Sequence, residues 1–496
     1  MDNKPKSYTI FGKTIEYKWI VLSVTTIGSL MAAIDSTIVV LALPDMMVKL
    51  HADLIEMIWV IMGYILVSTV LLLTFGRIAD ILGRVRMYNL GFVIFTVGSA
   101  LCGISGNATQ LIIFRLVQGT GAAMMVVNSV AIITEVFPAN ERGQALGINA
   151  ITFSFGGVAG PILGGLILSV ADWRWIFFIN VPIGILGAWW AYRVLKEVSV
   201  RKQRESFDVV GAISFSIALT ALLIALTLGI QLSFLSTPIV VLFLFFLVVL
   251  AFFFWWERRT TNPVLDFSLF ENRVYNFSVL SAMIQALALF AVNFMIIFFL
   301  QGVMGYDPLK AAYLLIPLPV MTSLMAPFGG RIADRWGARI PATLGLLIQG
   351  AALVSFMYLN PSTPYWQIAI GLGVMGLGGG LFYPPNTSAA MNAAPKNRLG
   401  IASATLATLR QAGMVTSFAL SLAIAADSLP RDVMMALFVG TNVTLGSAPM
   451  LAFVTGMHNA FLMSIILVLV AATISFVRGK EDRSAQASET ASAIME

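Results

Sequence analysis

The sequence is built from long apolar runs separated by short polar segments, and each run approaches the ~20 residues that a helix needs to cross a bilayer. They fall near residues 19–43, 55–75, 87–106, 110–133, 144–168, 176–195, 209–229, 237–256, 277–301, 310–329, 341–359, 365–386, 400–424 and 457–477, fourteen runs in all. A segment immersed in hydrocarbon must satisfy its backbone N–H and C=O groups internally, which a helix does and a lone strand does not. The runs therefore predict an all-α polytopic membrane protein. Composition agrees: of 496 residues 58% are hydrophobic and 11% charged, whereas soluble domains are roughly one quarter charged.

The formal net charge of +6 does not point to nucleic acid, because the basic residues sit in short loops between runs, where anionic lipid headgroups account for them. A single cysteine, Cys102, rules out an intramolecular disulfide and argues against a thiolate metal site; no metal and no cofactor is expected. Lys4, Lys6, Lys13 and Lys18 precede the first run without a small-residue cleavage site, which predicts an uncleaved first span with its N-terminus in the cytoplasm. Alternating the loops from there puts Lys49, Arg174, Lys310 and Arg431 outside and Arg115 and Arg410 within spans, with every other lysine and arginine inside. That distribution predicts an even number of spans and both termini cytoplasmic.

One loop recurs. Gly76, Arg77, Ile78, Ala79 and Asp80 reappear as Gly330, Arg331, Ile332, Ala333 and Asp334, 254 residues on from Gly76 to Gly330. Glycines suit a tight turn between packed helices, arginines suit the cytoplasmic face, and the aspartate can pair with them or meet a helix N-terminus. An ordinary positive-inside loop explains the charge but not the residue-for-residue match, and a repeated loop implies repeated spans around it. The first copy follows the second run and the second follows the tenth, whereas two six-span halves joined directly would place it after the eighth. The runs at 209–229 and 237–256 are thus read as an insertion, lipid-facing and without substrate chemistry. The resulting division is a cytoplasmic tail at 1–18, an N-terminal six-helix half at 19–195, a linker with the two inserted helices at 196–256, a C-terminal six-helix half at 257–477 and a disordered cytoplasmic tail at 478–496. Residues 427–456 form the longest outer loop, moderately apolar, read as a hairpin or an interfacial helix.

The loop of Gly76, Arg77, Asp80, Gly83, Arg84 and Arg86, with its echo in Gly330, Arg331 and Asp334, resembles the signature of the major facilitator superfamily, and the fourteen runs look like its multidrug/proton antiporter branch. Asp35-Ser36-Thr37-Ile38-Val39 with Ala42-Leu43-Pro44 resembles that branch's first-helix motif, and Arg115 with Gln118, Gly119 and Gly121 is similar to the superfamily's intramembrane arginine motif. Gly156 to Gly165, including Gly160, Pro161 and Gly164, resembles the antiporter element; Trp173-Arg174-Trp175 with Asn180-Val181-Pro182, and Arg410-Gln411 with Gly413, match as well. The resemblance implies two six-helix halves related by a pseudo-two-fold axis, alternating access, and a cytoplasmic gate at the repeated loop. Two departures stand out: Ile81 replaces a basic residue in the first copy, and Ala338 stands in the second where Arg84 stands in the first. The first copy is therefore expected to carry more of the gating interactions.

An ionised side chain at mid-bilayer costs about 2.5–3.5 kcal/mol on insertion scales, so each needs a partner, a wet cavity or a task. Asp35 reads either as a carboxylate that titrates during transport or as a helix-packing acid near the outer interface; Arg115 reads either as part of that site or as a structural ion pair. Gly156, Gly160 and Gly164 share one helix face, and Pro161 beside them removes a backbone hydrogen bond, which serves close packing and, in the family, a seal against proton leak. Asn149, Asn293, Gln285, Gln301, Gln349, Asn386 and Gln411 supply amides to a candidate cavity that also includes Gln118 and Arg410.

The leading expectation is a secondary transporter, a monomer of the plasma membrane, exporting hydrophobic or cationic small molecules in exchange for protons; no outer-side adaptor is indicated. An exporter of one metabolite or lipid, or an uptake symporter, is the alternative. A membrane enzyme is disfavoured because the chain has no HExxH, GxSxG or P-loop, and His51 and His458 stand alone.

Overall fold

In the computed structural model, which describes residues 7–10, 13–197, 208–232, 234–260, 263–306, 308–395, 398–428 and 447–479, the apolar runs are helices. The first group comprises α1 (Tyr17–Ile38), α2 (Leu43–Leu50), α3 (Leu54–Leu82), α4 (Arg84–Gly103), α5 (Ala108–Val136), α6 (Arg142–Val170), α7 (Trp175–Phe178) and α8 (Asn180–Val194). The inserted pair is α9 (Val209–Leu232) and α10 (Thr237–Glu257). The second group comprises α11 (Ser268–Glu271), α12 (Arg273–Phe298), α13 (Pro308–Leu314), α14 (Pro317–Trp336), α15 (Arg339–Phe356), α16 (Tyr365–Ala393), α17 (Leu399–Ser428) and α18 (Ser447–Val477).

Among the described residues eleven helices are long and apolar enough to cross a membrane, or twelve if α6, bent by 41° between Gly157 and Ile162, is one span. The tenth and thirteenth runs lie on α14 and α17, which are not among them. For α14 the reason is visible in its residues: Pro317, Pro319, Pro327, Arg331, Asp334 and Arg335 dilute its hydropathy.

Two details at the ends add to the expected layout. Within the tail at 1–18 an antiparallel hairpin pairs β1 (Ser7–Ile10) with β2 (Lys13–Glu16), Ser7 opposite Glu16. The last helix starts at Ser447, ten residues before the run expected at 457. The rest of the 427–456 loop beyond Ser428, and the tail after Gly479, lie outside the described residues.

Local chemistry sets the helix starts. Asp53 and Glu56 form a reciprocal cap on α3, Asp53 Oδ1 accepting the Glu56 N–H at 2.7 Å and Glu56 Oε2 accepting the Asp53 N–H at 3.0 Å. Asn107 caps α5 by accepting the Gln110 N–H at 2.9 Å. Between α3 and α4 stands Gly83 alone, at φ +111, and between α14 and α15 Gly337 has φ +90. Both occupy backbone space that side chains disfavour, and they are again 254 residues apart (Gly83 to Gly337), so the repeat extends to backbone conformation.

Each group has its own apolar core: Tyr88, Phe92, Phe95 and Met125 belong to the first, and Phe299, Leu346, Leu353, Phe382 and Phe461 to the second. The groups meet where α3 packs on α17 and where α14 packs on α6. In the repeat α3 corresponds to α14, so the two junctions are counterparts. α9 lies against both α3 and α17, whereas α10 rests mainly on α9 and is buried over only 11% of its apolar window.

Candidate functional site

Asp35 and Arg115, read separately from the sequence, form one buried ion pair. Arg115 Nη1 donates to Asp35 Oδ2 at 2.6 Å and to Gln118 Oε1 at 2.7 Å; Gln118 Nε2 in turn donates to Asp35 Oδ1 at 2.8 Å. Helix periodicity produces this, since Arg115 and Gln118 are three residues apart on one face of α5. Asn180 Nδ2 adds a donor to Asp35 Oδ1 at 3.0 Å and reaches Ser99 Oγ at 3.2 Å. The guanidinium also donates from Nε to the Val60 carbonyl at 3.2 Å and lies 4.1 Å from the centre of the Tyr64 ring. Both charged groups are essentially inaccessible, Asp35 at 0% and Arg115 at 1%. In such a low-dielectric setting the pair is held by Coulomb attraction and by these surrounding dipoles, and removing either charge strands the other. Asn180 was not among the expected site residues, although Asn180-Val181-Pro182 was part of a stretch that resembles the family.

The other expected cavity residues do not join this pair. Asn149 lies on α6 with its amide toward Ser29 Oγ and Ser129 Oγ, at 3.4 and 3.3 Å. Gln285 belongs to the second group, where its Nε2 donates to the Tyr383 hydroxyl at 2.9 Å and to Gln349 Oε1 at 3.4 Å. Arg410 and Gln411 are half-buried on α17, and Asn386 accepts from Ser281 Oγ at 3.1 Å. The side chain of Asn293 lies outside the described residues.

At the end of the bundle where Lys18 pairs with Glu141 at 2.8 Å, the repeated loop makes two reciprocal contacts. The carboxylate of Asp80 accepts the N–H groups of Gly400 and Ile401, each at 3.0 Å, at the start of α17. The carboxylate of Asp334 accepts those of Gly143 and Gln144, each at 2.9 Å, at the start of α6. A helix start offers unpaired N–H groups and the positive end of its dipole, which a carboxylate answers. Each copy thus holds a helix of the opposite group. Glycine makes the approach possible: a Cβ on Gly400 would meet both the Gly76 carbonyl and Asp80 Oδ1 at 2.5 Å, and one on Gly143 would meet the Gly330 carbonyl and Asp334 Oδ1 at 2.6 Å.

The two copies are equal in this contact. Beside it, Asp80 Oδ1 also receives Arg84 through Nε at 3.0 Å and Nη2 at 2.8 Å, and Arg84 Nη1 donates to Glu135 at 2.9 Å. Glu197, which sequence reasoning missed, accepts the N–H groups of Arg84, Val85 and Arg86 at the start of α4, at 2.9, 3.1 and 3.2 Å. Gly143 and Gly400 were missed too, although Asn140-Glu141-Arg142-Gly143 and Asn397-Arg398-Leu399-Gly400 carry a visible echo. Arg77 is buried, whereas Arg86 and Arg331 are exposed.

The glycine face of α6 lies on α1, the helix that carries Asp35. Added Cβ atoms on Gly156 and Gly160 would run into the Ala33 side chain and the Thr37 hydroxyl, while Thr37 Oγ1 donates to the Gly156 carbonyl at 3.0 Å. Gly164 faces Ile38, Gly157 faces open space, and Gly165 is half-buried. Pro161, which has no N–H to give, falls within the break of the bent helix.

The description of the family whose model matches residues 25–418 is Major Facilitator Superfamily. The chain belongs to the major facilitator superfamily. It is 31% identical over 410 residues to the riboflavin transporter RibZ of Clostridioides difficile (82% of this chain, 88% of the relative). It is 32% identical over 401 residues to the multidrug resistance protein Stp of Mycobacterium tuberculosis (80% and 74%), and 33% identical over 404 residues to the methylenomycin A resistance protein of Bacillus subtilis (81% and 86%). Among solved structures, its fold matches the human organic anion transporter MFSD10 with a TM-score of 0.63 at 14% identity, covering 91% of this chain and 99% of that one. The proton:xylose symporter XylE also matches at 0.63, with 12% identity and coverage of 94% and 96%. The superfamily and these relatives are transporters rather than enzymes, and membership makes this an integral membrane protein that acts on small molecules.

Proposed function

We propose that this chain exports hydrophobic or cationic small molecules in exchange for protons, as a monomer of the plasma membrane in the fourteen-span drug:proton antiporter branch, with α14 and α17 completing the span count and both termini cytoplasmic. The observation that carries the reading is the buried Asp35–Arg115 pair. Protonating Asp35 cancels the charge that answers Arg115, while the neutral carboxyl still accepts from Gln118 and Asn180. Arg115 then keeps Gln118 Oε1, the Val60 carbonyl and the Tyr64 ring. One site therefore has two charge states, and it lies on α1, whose neighbour α6 begins in the Asp334 contact. The division at 1–18, 19–195, 196–256, 257–477 and 478–496 is kept as the working layout, the end with the Asp80 and Asp334 contacts being the cytoplasmic gate in its closed form. Relatives named for multidrug and methylenomycin resistance support export. A relative named for riboflavin favours, as the second reading, one metabolite as cargo.

The test is flux in proteoliposomes. With a pH gradient imposed, ethidium movement by the wild type should follow the sign of the gradient and collapse when a protonophore removes it. Flux that ignores the gradient would exclude proton coupling.

A further inference from the structure

Arg115 and Arg410 each interrupt an apolar run, and among the described residues only Arg115 is answered by a carboxylate. Arg115 has a carboxylate, two carbonyl-type acceptors and an aromatic face. Arg410, on α17, makes no ion pair and no hydrogen bond among the described residues, and its Nε is buried without an acceptor. The residue as a whole is half-buried. Tyr383 on α16 is near enough to act on it electrostatically. The Tyr383 hydroxyl accepts from Gln285 Nε2 at 2.9 Å, and Gln285 Oε1 is itself buried with no donor. One corner of the second group thus presents an unanswered cation beside an unanswered amide oxygen.

A cation left without a counter-charge inside a bundle is costly, and intramembrane charges that persist mark substrate or ion pathways. Guanidinium is matched by a planar or tetrahedral oxyanion. Asp35 does not answer it, since that carboxylate is already occupied by Arg115, Gln118 and Asn180. We propose that Arg410 docks an anionic group of the transported molecule, so that the substrates are amphipathic organic acids or zwitterions that carry a carboxylate, sulfonate or phosphate, with a hydroxyl or N–H in reach of Gln285. This rests on the reading of the chain as a transporter and departs from it in cargo, an anionic or zwitterionic molecule in place of a hydrophobic or cationic one.

Binding and flux separate the two claims. Fluorescein, an anion, and rhodamine 123, a cation of similar size, are titrated against the protein in lipid nanodiscs in gluconate buffer, and anisotropy is read. Fluorescein should bind the wild type, and Arg410→Gln should weaken it about tenfold or more, the loss expected for a charge-assisted hydrogen bond. Arg410→Lys should retain part of the affinity, and rhodamine 123 should be indifferent to both changes. Arg410→Met should melt higher than the wild type and lose the stabilisation that fluorescein gives it. Unchanged fluorescein affinity in Arg410→Gln, or no binding to the wild type, overturns the assignment; displacement by chloride at concentrations that leave other sites untouched reassigns the cation to an inorganic ion and also overturns it. In proteoliposomes, arginine-dependent fluorescein binding without gradient-driven flux rejects proton-coupled export and leaves the docking site standing. Gradient-driven fluorescein flux that survives Arg410→Gln does the reverse.

Discussion

Asp35 accepts hydrogen bonds from three side chains on two other helices, so a change there acts on charge and on packing at once. In Asp35→Asn the amide keeps the volume but leaves Arg115 buried without its counter-charge, and breaking one side of a buried pair costs about 3–5 kcal/mol. The expected outcome is a lower melting temperature together with loss of gradient-driven flux. Adding Arg115→Gln should restore much of the stability, because both charges are then gone, without restoring flux. If the double variant transports normally, the pair is structural and nothing more. The two charges were legible singly, because ionised residues are rare in apolar runs. Their pairing was not, because 80 residues separate them and composition does not say which faces of α1 and α5 meet. Asn180 was illegible for the related reason that one amide in a helix serves packing as readily as chemistry.

The contacts at α6 and α17 show what sequence conveys about elements. The repeat was readable from the loop alone, and so was the acidic partner for a helix N-terminus. Which helix each aspartate would meet was not readable, because Gly400 is 320 residues from Asp80 and Gly143 is 191 from Asp334. Each aspartate accepts two such N–H groups, so a greater share for the first copy has to come from Arg84 beside Asp80. Hydrogen bonds to a charged group contribute about 1.5–3 kcal/mol, so Asp80→Asn and Asp334→Asn should each shift the population toward a state open at this end by roughly tenfold or more. Asp80→Asn should shift it further, since Asp80 also answers the charge of Arg84, which is 1% exposed. Distances between spin labels at the exposed Leu82 and Trp336, one in each group at this end, would read both. Equal shifts would show that Arg84 adds nothing to closure. Gly400→Ala, whose methyl would crowd the Gly76 carbonyl, should open the same end without any change of charge.

For the molecule as a whole, the inserted pair divides unequally. α10 shows its surface outward, with Leu244 and Val248 exposed, whereas α9 places Ala212 in an apolar cluster with Leu72, Leu73 and Ala404 of the two helices joined by the Asp80 contact. The expectation of a purely lipid-facing pair therefore fits α10 better than α9; an apolar run reads the same whether lipid or protein lies beside it. Ala212→Phe should overpack that junction at a cost of about 1–3 kcal/mol and lower turnover while the ratio of fluxes between two substrates stays the same. Leu244→Phe should leave both unchanged. A change in substrate preference from Ala212→Phe would place α9 in the substrate path instead.

The reciprocal contacts also bear on the order in which the protein is made. Synthesis runs from the N-terminus, so when α6 first enters the bilayer the aspartate that will hold its start has not been translated, and α3 waits longer still for α17. A nascent chain stalled after α10 therefore has Asp80 and the start of α6 without the partners that cross between the groups. At that stage the end destined to be closed stays parted, so a factor that shields the start of α6 or the carboxylate of Asp80 during biogenesis has a window that shuts only as α14 and α17 arrive.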